Sequence, residues 1–341
     1  MAEFAVEVVR VGEVREHPGA DALDVVLIEG KQLQTIAKRG QYAAGDKAVY
    51  VPYDAMIPEV IAEQWGVANY LSKGRVRAVR LRGEMSYGFL TDLSPGVESF
   101  VGEDLAGLYG ITKYEPPPSF SCGDSERDHP QFHRYTTIEN LRHYPDVFLP
   151  GEEVVVTEKL HGTNSRVGLV LDQETGDPLL VCGSHNLRKK LGQDGIYESP
   201  LKAPGVKALL ERASASLAPV LFGEVYGWKV QDLHYGRTQR NALGFAAFDL
   251  SIGGMYVHHQ AFLDACTADG VERVPELYRG PFDAQIIADL ASGQTTHGGD
   301  HIREGVVVKP VVERTDPGIG RVVLKLINDD YLTRKGGTEA K

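Results

Sequence analysis

Three consecutive prolines at 116–118 divide the sequence into two parts. Proline has a fixed φ angle and no backbone N–H, so neither a helix nor a central strand can run through this segment. A proline-rich stretch of this kind behaves as a semi-rigid spacer. In a chain of 341 residues, which is long enough for about two domains, we therefore predict a first domain over 1–115, a linker over 116–128 and a second domain over 129–341.

The first part has the pattern of short strands separated by turns. Segments rich in Val, Ile and Tyr alternate with glycines at 12, 30, 40, 45, 74 and 83, which is typical of strands bounded by turns. Several short strands at this spacing predict a small β-barrel. The predicted strands cover 4–11, 24–29, 33–37, 47–51 and 75–81.

The second part mixes strand and helix patterns, and its predicted class is α+β. Thr136 and Glu139 have the spacing of a capping box, which predicts a short helix that ends before Pro145. Longer helices are predicted over 203–216, 259–268 and 282–292. The predicted strands cover 154–158, 167–171, 221–226, 245–250, 306–309 and 322–326.

Charge and cysteine content narrow the function classes. The formal net charge of −11 argues against binding duplex nucleic acid through a bulk basic field, although a local basic groove remains open. Cys122, Cys182 and Cys266 form no CxxC pair, which suits a reducing compartment. The N-terminal residues lack the pattern of a secretory signal, and no apolar run approaches a membrane span. We therefore expect a cytoplasmic protein without a membrane partner.

The most informative segment is 157–164, Thr-Glu-Lys-Leu-His-Gly-Thr-Asn. It places Lys159 at the end of a β-branched strand and directly before a glycine turn. A covalent lysine nucleophile needs such a rigid support, an exposed amine and nearby polar groups that can hold a phosphate. A surface lysine before a turn would have the same local pattern, so this segment alone leaves both interpretations open.

Five further segments follow Lys159 in a fixed order. They are Gly-Ser-His-Asn-Leu-Arg at 183–188, Phe-Gly-Glu-Val-Tyr-Gly at 222–227, Gly-Phe-Ala-Ala-Phe-Asp-Leu at 244–250, Arg-Glu-Gly-Val-Val-Val-Lys-Pro at 303–310 and Val-Val-Leu-Lys at 322–325. Together with the Lys159 segment, this set resembles the motifs of the lysine-dependent nucleotidyltransferase superfamily, which contains DNA ligases, RNA ligases and capping enzymes.

Two features make the resemblance more specific. Most members of the superfamily carry Asp two residues after the lysine, whereas this chain has His161 and continues Gly-Thr-Asn, which resembles the RNA ligase branch. Residues 12–58 resemble OB-fold modules that bind tRNA. The whole chain is therefore similar to the Deinococcus-type two-domain ATP-dependent RNA ligases. The implied fold is an N-terminal OB-like barrel followed by an α+β nucleotidyltransferase domain built on antiparallel sheets.

The resemblance also implies a reaction and its partners. Lys159 would attack the α-phosphate of ATP, AMP would pass to an RNA 5′-phosphate, and a 3′-hydroxyl would then displace AMP. The implied cofactors are ATP, with AMP carried on the lysine, and Mg²⁺ or Mn²⁺. The implied substrate is a nicked RNA duplex, and the protein is expected to act as a monomer. Because a free lysine has a pKa of about 10.4, the site must favour its neutral form.

Site residues follow from the matched motifs. Glu224 and Glu304 are expected at the metal, because hard cations take oxygen ligands. Glu158 would contact the adenine amino group, and Phe245 would stack on the base unless Phe245 and Phe248 both belong to the core. The remaining catalytic and nucleotide-binding residues implied by the motifs are His161, Asn164, Arg188, Lys309 and Lys325. The last motif departs from the family because Val323 stands where a second lysine often occurs.

Short basic tracts are the candidates for RNA contact. Five of the ten residues at 73–82 are basic, although residues 1–115 carry 12 basic against 17 acidic residues. On a predicted strand, Arg75 and Arg77 would share one face, and Arg80 and Arg82 would have the opposite parity. Lys189 lies in a second basic cluster beside the motif at 183–188.

Two other functions remain compatible with the sequence. One is a related nucleotidyltransferase, either a DNA ligase or a capping enzyme that uses GTP. The other is a catalytically inactive RNA-binding scaffold. The first is disfavoured by His161 and by the few residues after Lys325, where those relatives carry an OB domain. The second is disfavoured by the intact charged residues of the motifs.

Overall fold

A computed structural model describes residues 4–115, 124–193 and 195–334. The chain divides into two compact units. The first contains 4–115 together with Asn140–Val147 and 332–334, and the second contains 124–139, 148–193 and 195–331. The two short segments thus join the first unit, whereas the sequence places them in the second domain. Most of the predicted linker, 116–123, lies outside the described residues.

The first unit is a five-stranded barrel with small additions. Its strands are β1 (Glu7–Glu16), β2 (Leu23–Ile28), β3 (Gln34–Lys38), β4 (Lys47–Pro52), β5 (Ala55–Met56), β6 (Val79–Leu81), β7 (Glu84–Ser86), β8 (Gly88–Thr91) and β9 (Thr112–Lys113). The main sheet has the order β3-β2-β1-β4-β8. The barrel nearly closes because the Tyr87 N–H donates to the Gln34 carbonyl at 3.0 Å.

Alternating apolar side chains explain this barrel. One set of side chains from β1, β2, β4 and β8 fills its interior, including Val9, Val26, Tyr50 and Leu90. The other set, including Val8 and Val49, packs under α1 (Glu59–Gln64) and α2 (Ala106–Tyr109). Strands buried on both faces read as continuous apolar runs, and this is why the sequence pattern was strong.

The second unit contains two antiparallel sheets. Its strands are β10 (Glu139–Asn140), β11 (Glu153–Lys159), β12 (Thr163–Leu171), β13 (Pro178–Ser184), β14 (Arg188–Lys189), β15 (Val220–Gly227), β16 (Leu243–Ile252), β17 (Met255–Tyr256), β18 (Glu276–Pro281), β19 (Gly305–Pro310), β20 (Thr315–Asp316), β21 (Gly320–Arg321) and β22 (Leu324–Ile327). One of these two large sheets has the strand order β10-β22-β19-β11-β18, and the other has the order β14-β13-β12-β15-β16-β17. Strands β20 and β21 form a separate two-stranded sheet.

The helices of the second unit cover the sheet surfaces. They are α3 (Pro204–Ala213), α4 (His259–Asp269), α5 (Ala284–Ala291) and α6 (Asp329–Thr333). Leu209 of α3 and Phe262 of α4 pack on one face of the six-stranded sheet, against Leu221 and Val225. On the opposite face, Phe132, Tyr135 and Phe222 form a second apolar cluster, and Asn164 and Glu224 lie on that same face. None of the helices in the described ranges has the length and apolar character needed to cross a membrane.

The α+β class and the OB-like barrel are confirmed, but two local predictions are wrong. No helix begins at Thr136, because Glu139 and Asn140 are extended and only a short 3-10 turn follows over Leu141–His143. The predicted strand at 75–81 is limited to β6. Arg75 lies before it and forms only isolated bridges with Met56 and Ser72.

Candidate active site

Lys159 is the last residue of β11 and lies opposite Gly305, the first residue of β19. Its Nζ is 2.5 Å from Glu304 Oε1. The lysine side chain is 26% exposed, whereas that of Glu304 is 4% exposed. A buried carboxylate thus holds an accessible amine at the end of β11. This strand is paired on both sides, with β18 and β19, which fixes its direction.

Glu224 brings a second carboxylate from the other sheet. It lies on β15, in register with Asn164 of β12, so both side chains occupy the same sheet face. Burial raises the pKa of Glu224 to about 8, and the negative charge of Glu304 acts in the same direction, while Lys159 opposes it. Two carboxylates that influence each other in this way favour a bound cation.

The turn between β11 and β12 joins the two sheets and requires glycine. The Gly162 N–H donates to Glu224 Oε1 at 3.1 Å. A Cβ at Gly162 would lie 2.2 Å from the Val225 carbonyl oxygen and 2.9 Å from Glu224 Cγ. A side chain at this position would therefore push the turn away from β15 and separate Lys159 from Glu224.

His161 is buried in the same turn, with both ring nitrogens engaged. Nε2 is 2.9 Å from Asp232 Oδ1 and Nδ1 is 2.8 Å from the Tyr331 hydroxyl. Nδ1 also lies 3.8 Å from Glu304 Oε2. The structure therefore places His161 beside Lys159 and Glu304, next to the predicted nucleophile. Asp232 and Tyr331 were not predicted, because they lie outside the motifs and carry no local pattern.

Glu158 faces away from Lys159, as alternation along a strand requires. Its carboxylate accepts hydrogen bonds from the Thr295 hydroxyl at 2.5 Å, the Thr296 N–H at 2.8 Å and the Thr296 hydroxyl at 2.7 Å. Arg303 Nε lies 3.5 Å from the same carboxylate. In this structure Glu158 holds the 295–296 segment, and its contact with adenine remains a prediction.

Lys309 is placed differently from its predicted role at the α-phosphate. It shares the sheet face of Lys159 but pairs with Val155, four residues or about 13 Å along β11. Its Nζ is 2.9 Å from Asp249 Oδ1, with side-chain exposures of 6% and 0%. Arg321 Nη2 also contacts Asp249, at 2.6 Å. Lys309 is therefore a partner in a buried ion cluster and is corrected from a phosphate contact to a structural residue.

Lys325 lies closer to the predicted site. It pairs with Val307, which in turn pairs with Thr157, two residues before Lys159. Directly paired residues of an antiparallel sheet project to the same face. Lys325 and Lys159 therefore share a face two residue steps apart, with β19 between their strands.

Phe245 belongs to the core, and its predicted stacking on adenine is wrong. It is 9% exposed and packs against Val225 and Phe262 on the helix-covered face. Phe248, three residues further along β16, projects to the opposite face and lies there with Phe222. Phe248 is half-buried there, with its ring 5.0 Å from that of Tyr135.

Arg188 and Lys189 form the edge strand β14 and are both ion-paired. Arg188 Nη2 is 2.7 Å from Glu126 Oε2, and Lys189 Nζ is 2.9 Å from Asp124 Oδ1. Arg188 pairs with Gly183, which pairs with Arg166, so it lies on the face of Asn164 and Glu224 at the sheet edge. The structure brings neither residue to Lys159.

The predicted RNA-contact residues of the first unit are split by burial. Arg75 is 8% exposed, its Nη2 is 2.6 Å from Asp54 Oδ1 and its guanidinium lies 3.8 Å from the centre of the Tyr114 ring. A buried arginine with an internal carboxylate partner is not available to RNA, so that prediction is corrected. Arg77 is half-buried, whereas Arg80 and Arg82 are exposed around the β6–β7 turn.

The divalent metal implied by the motifs fits the donors of this site. Glu224 and Glu304 provide oxygen ligands, and Mg²⁺ commonly uses only one or two protein carboxylates. Within the ranges that the structure describes, no group of three or more His, Cys, Asp or Glu residues is arranged to hold a metal ion.

Comparison with known proteins identifies the class. A family model described as RNA ligase matches residues 152–327, and an OB-fold domain model matches residues 5–93. The first match covers just over half of the chain, and the chain belongs to the RNA ligase family. A search of curated proteins found no match.

Solved structures share the complete two-domain fold. An RNA ligase from Naegleria gruberi solved with PPi has a TM-score of 0.80 and 21% identity, covering 97% of this chain and 98% of its own. One variant of that enzyme, solved with ATP and Mn, has a TM-score of 0.79 and 21% identity at the same coverage. Another, solved with AMP and Mn, has a TM-score of 0.79 and 22% identity, again at 97% and 98%.

Proposed function

We propose that this chain is an ATP-dependent RNA ligase that joins RNA 3′-hydroxyl and 5′-phosphate ends through a lysyl-AMP intermediate. Membership of the RNA ligase family supports the reaction class. The proposal rests on the position of Lys159, whose Nζ is 2.5 Å from Glu304 and within the electrostatic influence of Glu224. Naegleria structures of the same fold with ATP and Mn, or AMP and Mn, support the choice of nucleotide and metal.

The first step uses Lys159 as the nucleophile. Neutral Nζ forms a bond to the α-phosphorus of ATP, the bond from that phosphorus to the bridging oxygen breaks, and pyrophosphate leaves. Because an ammonium group has no lone pair, Lys159 must first lose a proton to solvent, and the Glu304 carboxylate at 2.5 Å orients the amine. Lys325, on the same sheet face, would attract the negative phosphate oxygens.

Glu224 and Glu304 would hold the divalent metal. When bound, Mg²⁺ or Mn²⁺ supplies positive charge that neutralises phosphate oxygens. These two carboxylates come from different sheets, and the Gly162 N–H holds Glu224 through a hydrogen bond of 3.1 Å. Metal binding would also favour the ionised form of Glu224, whose pKa is otherwise raised by burial to about 8.

Asn164 and Phe248 are the other proposed nucleotide contacts. Asn164 Oδ1 is buried and makes no hydrogen bond within the described part of the chain, although buried polar atoms normally have a partner. A ribose hydroxyl would satisfy it. Phe248, rather than Phe245, lies on the face of Glu224 and Asn164 and is the proposed stacking partner of adenine. Glu158 remains the proposed contact of the adenine amino group, and Arg188 remains a proposed contact of a phosphate.

The RNA would be a nicked duplex bound by a monomer. Arg80 and Arg82 are exposed in the first unit and are the proposed backbone contacts there, with Arg77 and Lys189 as weaker candidates because they are half-buried. We retain 1–115 and 129–341 as the functional domains on either side of a linker over 116–128. The free, buried thiols of Cys182 and Cys266 suit a reducing compartment, which supports a cytoplasmic location.

Transfer of labelled AMP to the protein tests the proposal. The protein is incubated with Mg²⁺ and ATP labelled at the α-phosphate, and in parallel with labelled GTP. We expect a hydroxylamine-sensitive protein adduct with ATP that Lys159→Ala abolishes, followed by sealing of a nicked RNA duplex. Absence of an adduct with either nucleotide would contradict the proposal, an adduct with GTP alone would indicate a capping enzyme, and sealing of DNA alone would indicate a DNA ligase.

A further inference from the structure

Asp232 lies in the 228–242 segment between β15 and β16, outside every motif used to recognise the family. Its Oδ1 is 2.9 Å from His161 Nε2. The His161 side chain is 5% exposed, and that of Asp232 is 28% exposed. An ionised carboxylate only accepts hydrogen bonds, so this contact requires a hydrogen on Nε2. Asp232 thereby selects one form of the His161 ring.

Two tyrosines complete the attachment of His161. The Tyr331 hydroxyl is 2.8 Å from Nδ1, and the two rings meet edge to face with centroids 5.4 Å apart. The backbone N–H of His161 donates to the Tyr235 hydroxyl at 2.6 Å. A ring held at both nitrogens and at its backbone has one orientation, because any rotation would break a buried hydrogen bond.

This orientation bears on the nucleophile. Nδ1 lies 3.8 Å from Glu304 Oε2, and the other oxygen of the same carboxylate contacts Lys159 Nζ at 2.5 Å. A contiguous series of contacts therefore runs from Asp232 through His161 and Glu304 to Lys159. Displacement of the imidazole would open space beside Glu304 and change the direction in which the carboxylate holds the amine.

We propose that Asp232 is a positioning residue for the adenylylation of Lys159, acting through the His161 ring. The inference rests on the proposed function and adds to it a residue that does not touch ATP. Replacing the partner that orients such a histidine typically lowers activity by about 10- to 100-fold. Asp232→Asn is the sharpest variant, because its amide N–H can donate to Nε2 and so favour the opposite ring form.

The experiment combines a rate with a spectroscopic readout. Single-turnover formation of lysyl-AMP is measured for the wild-type protein, Asp232→Asn and Asp232→Glu, and the ring nitrogens of His161 are observed by ¹⁵N NMR. We expect Asp232→Asn to slow adenylylation about 10- to 100-fold and to remove the Nε2–H signal. Asp232→Glu should recover part of both. Since Asp232 is partly exposed, thermal unfolding will show whether each variant remains folded, and Tyr331→Phe provides a second perturbation of the same ring.

The chain offers a matched control in His259 and Glu276. Their contact is 2.8 Å, with side-chain exposures of 2% and 32%, and the lysine whose charge acts on His259 is the ion-paired Lys309. Glu276→Gln should leave the adenylylation rate unchanged. Adenylylation by Asp232→Asn at the wild-type rate, or slowing without a change in the His161 spectrum, overturns the inference alone. Absence of lysyl-AMP in the wild-type protein overturns both this inference and the proposed function.

Discussion

Two lysine–carboxylate pairs on neighbouring strands have opposite surroundings. Lys159 contacts Glu304 at 2.5 Å and Lys309 contacts Asp249 at 2.9 Å. We call the first group, Lys159 with Glu304, Glu224 and His161, the Lys159 cluster. The second, Asp249 with Lys309, Arg321, Glu313 and Tyr135, is the Asp249 cluster. In the first, two carboxylates influence one accessible lysine, whereas in the second two cations enclose a fully buried carboxylate.

The difference separates a reactive site from a structural one. In the Asp249 cluster Arg321 contacts Asp249 and Glu313, both at 2.6 Å, and the Tyr135 hydroxyl donates to Asp249 at 2.8 Å. Its charges are balanced within the protein. The Lys159 cluster has two carboxylates for one lysine, and a divalent cation that arrives from outside would favour the ionised form of Glu224, whose pKa burial raises to about 8. Two lysines from similar motifs thus form two different pairs: Lys309 is buried with its partner, whereas Lys159 is accessible from outside.

The largest predicted effect concerns Lys159 itself. Lys159→Ala should abolish lysyl-AMP formation, because no other group replaces the nucleophile. The Lys159 side chain is 26% exposed and that of Glu304 only 4%, so the free energy of unfolding should fall by less than the cost of breaking a fully buried pair, which is about 3–5 kcal/mol. Labelling with ATP and urea denaturation measure the two quantities. A variant that unfolds cooperatively at wild-type stability yet still forms the adduct would show that another residue carries AMP.

Replacing Lys309 should lower the stability of the protein without abolishing adduct formation. Lys309→Ala leaves Asp249 buried with less compensation, and breaking a buried pair costs about 3–5 kcal/mol of stability. Arg134→Ala is the control, because Arg134 and Asp128 are 53% and 58% exposed and such pairs contribute about 0–1 kcal/mol. Urea denaturation measures both variants. If Lys309→Ala is as stable as the control and loses adduct formation, Lys309 acts in catalysis after all.

Acid should weaken the Asp249 cluster. Burial alone would raise the pKa of Asp249, but the positive charges of Lys309 and Arg321 outweigh burial and lower it. The stabilising contribution is therefore complete above the ordinary pKa of about 3.9 and is lost as the pH falls through the lower pKa of the folded state. Asp249→Asn should flatten the dependence of unfolding free energy on pH below about pH 4. An unchanged slope would contradict the assignment.

The smallest predicted effect extends the comparison to the first unit, where Arg75 is buried and ion-paired and Arg82 is exposed. Arg82→Ala should weaken RNA binding modestly and reduce the slope of log affinity against log salt by about one, with no loss of stability. Arg75→Ala should instead destabilise the unit, because Arg75 bridges Asp54 and Tyr114. Binding titrations at several salt concentrations measure the slope. A larger salt effect for Arg75→Ala in a folded protein would reverse the two roles.

The sequence predicts which residues lie together better than it predicts the contacts that each residue makes. The proximity of Lys159, Glu224 and Glu304 could be predicted because their motifs are shared with the RNA ligase family, whereas their roles at the nucleotide and the metal stay predictions. Phe245 could not be assigned correctly, since Phe245 and Phe248 project to opposite faces of β16 and no local pattern indicates which face the helices cover. The partners of Lys309 and Arg75, namely Asp249 and Asp54, come from distant segments. No local sequence pattern indicates which buried carboxylate will form an ion pair with a given cation.

The central claim is that Lys159, and not another lysine, carries AMP. Wild-type protein treated with Mg²⁺ and ATP, without RNA, is digested and its peptides are sequenced by mass spectrometry. The account predicts one peptide with the added mass of AMP on Lys159 and unmodified peptides containing Lys309 and Lys325. AMP on either of those lysines, or on no peptide while sealing proceeds, would contradict it.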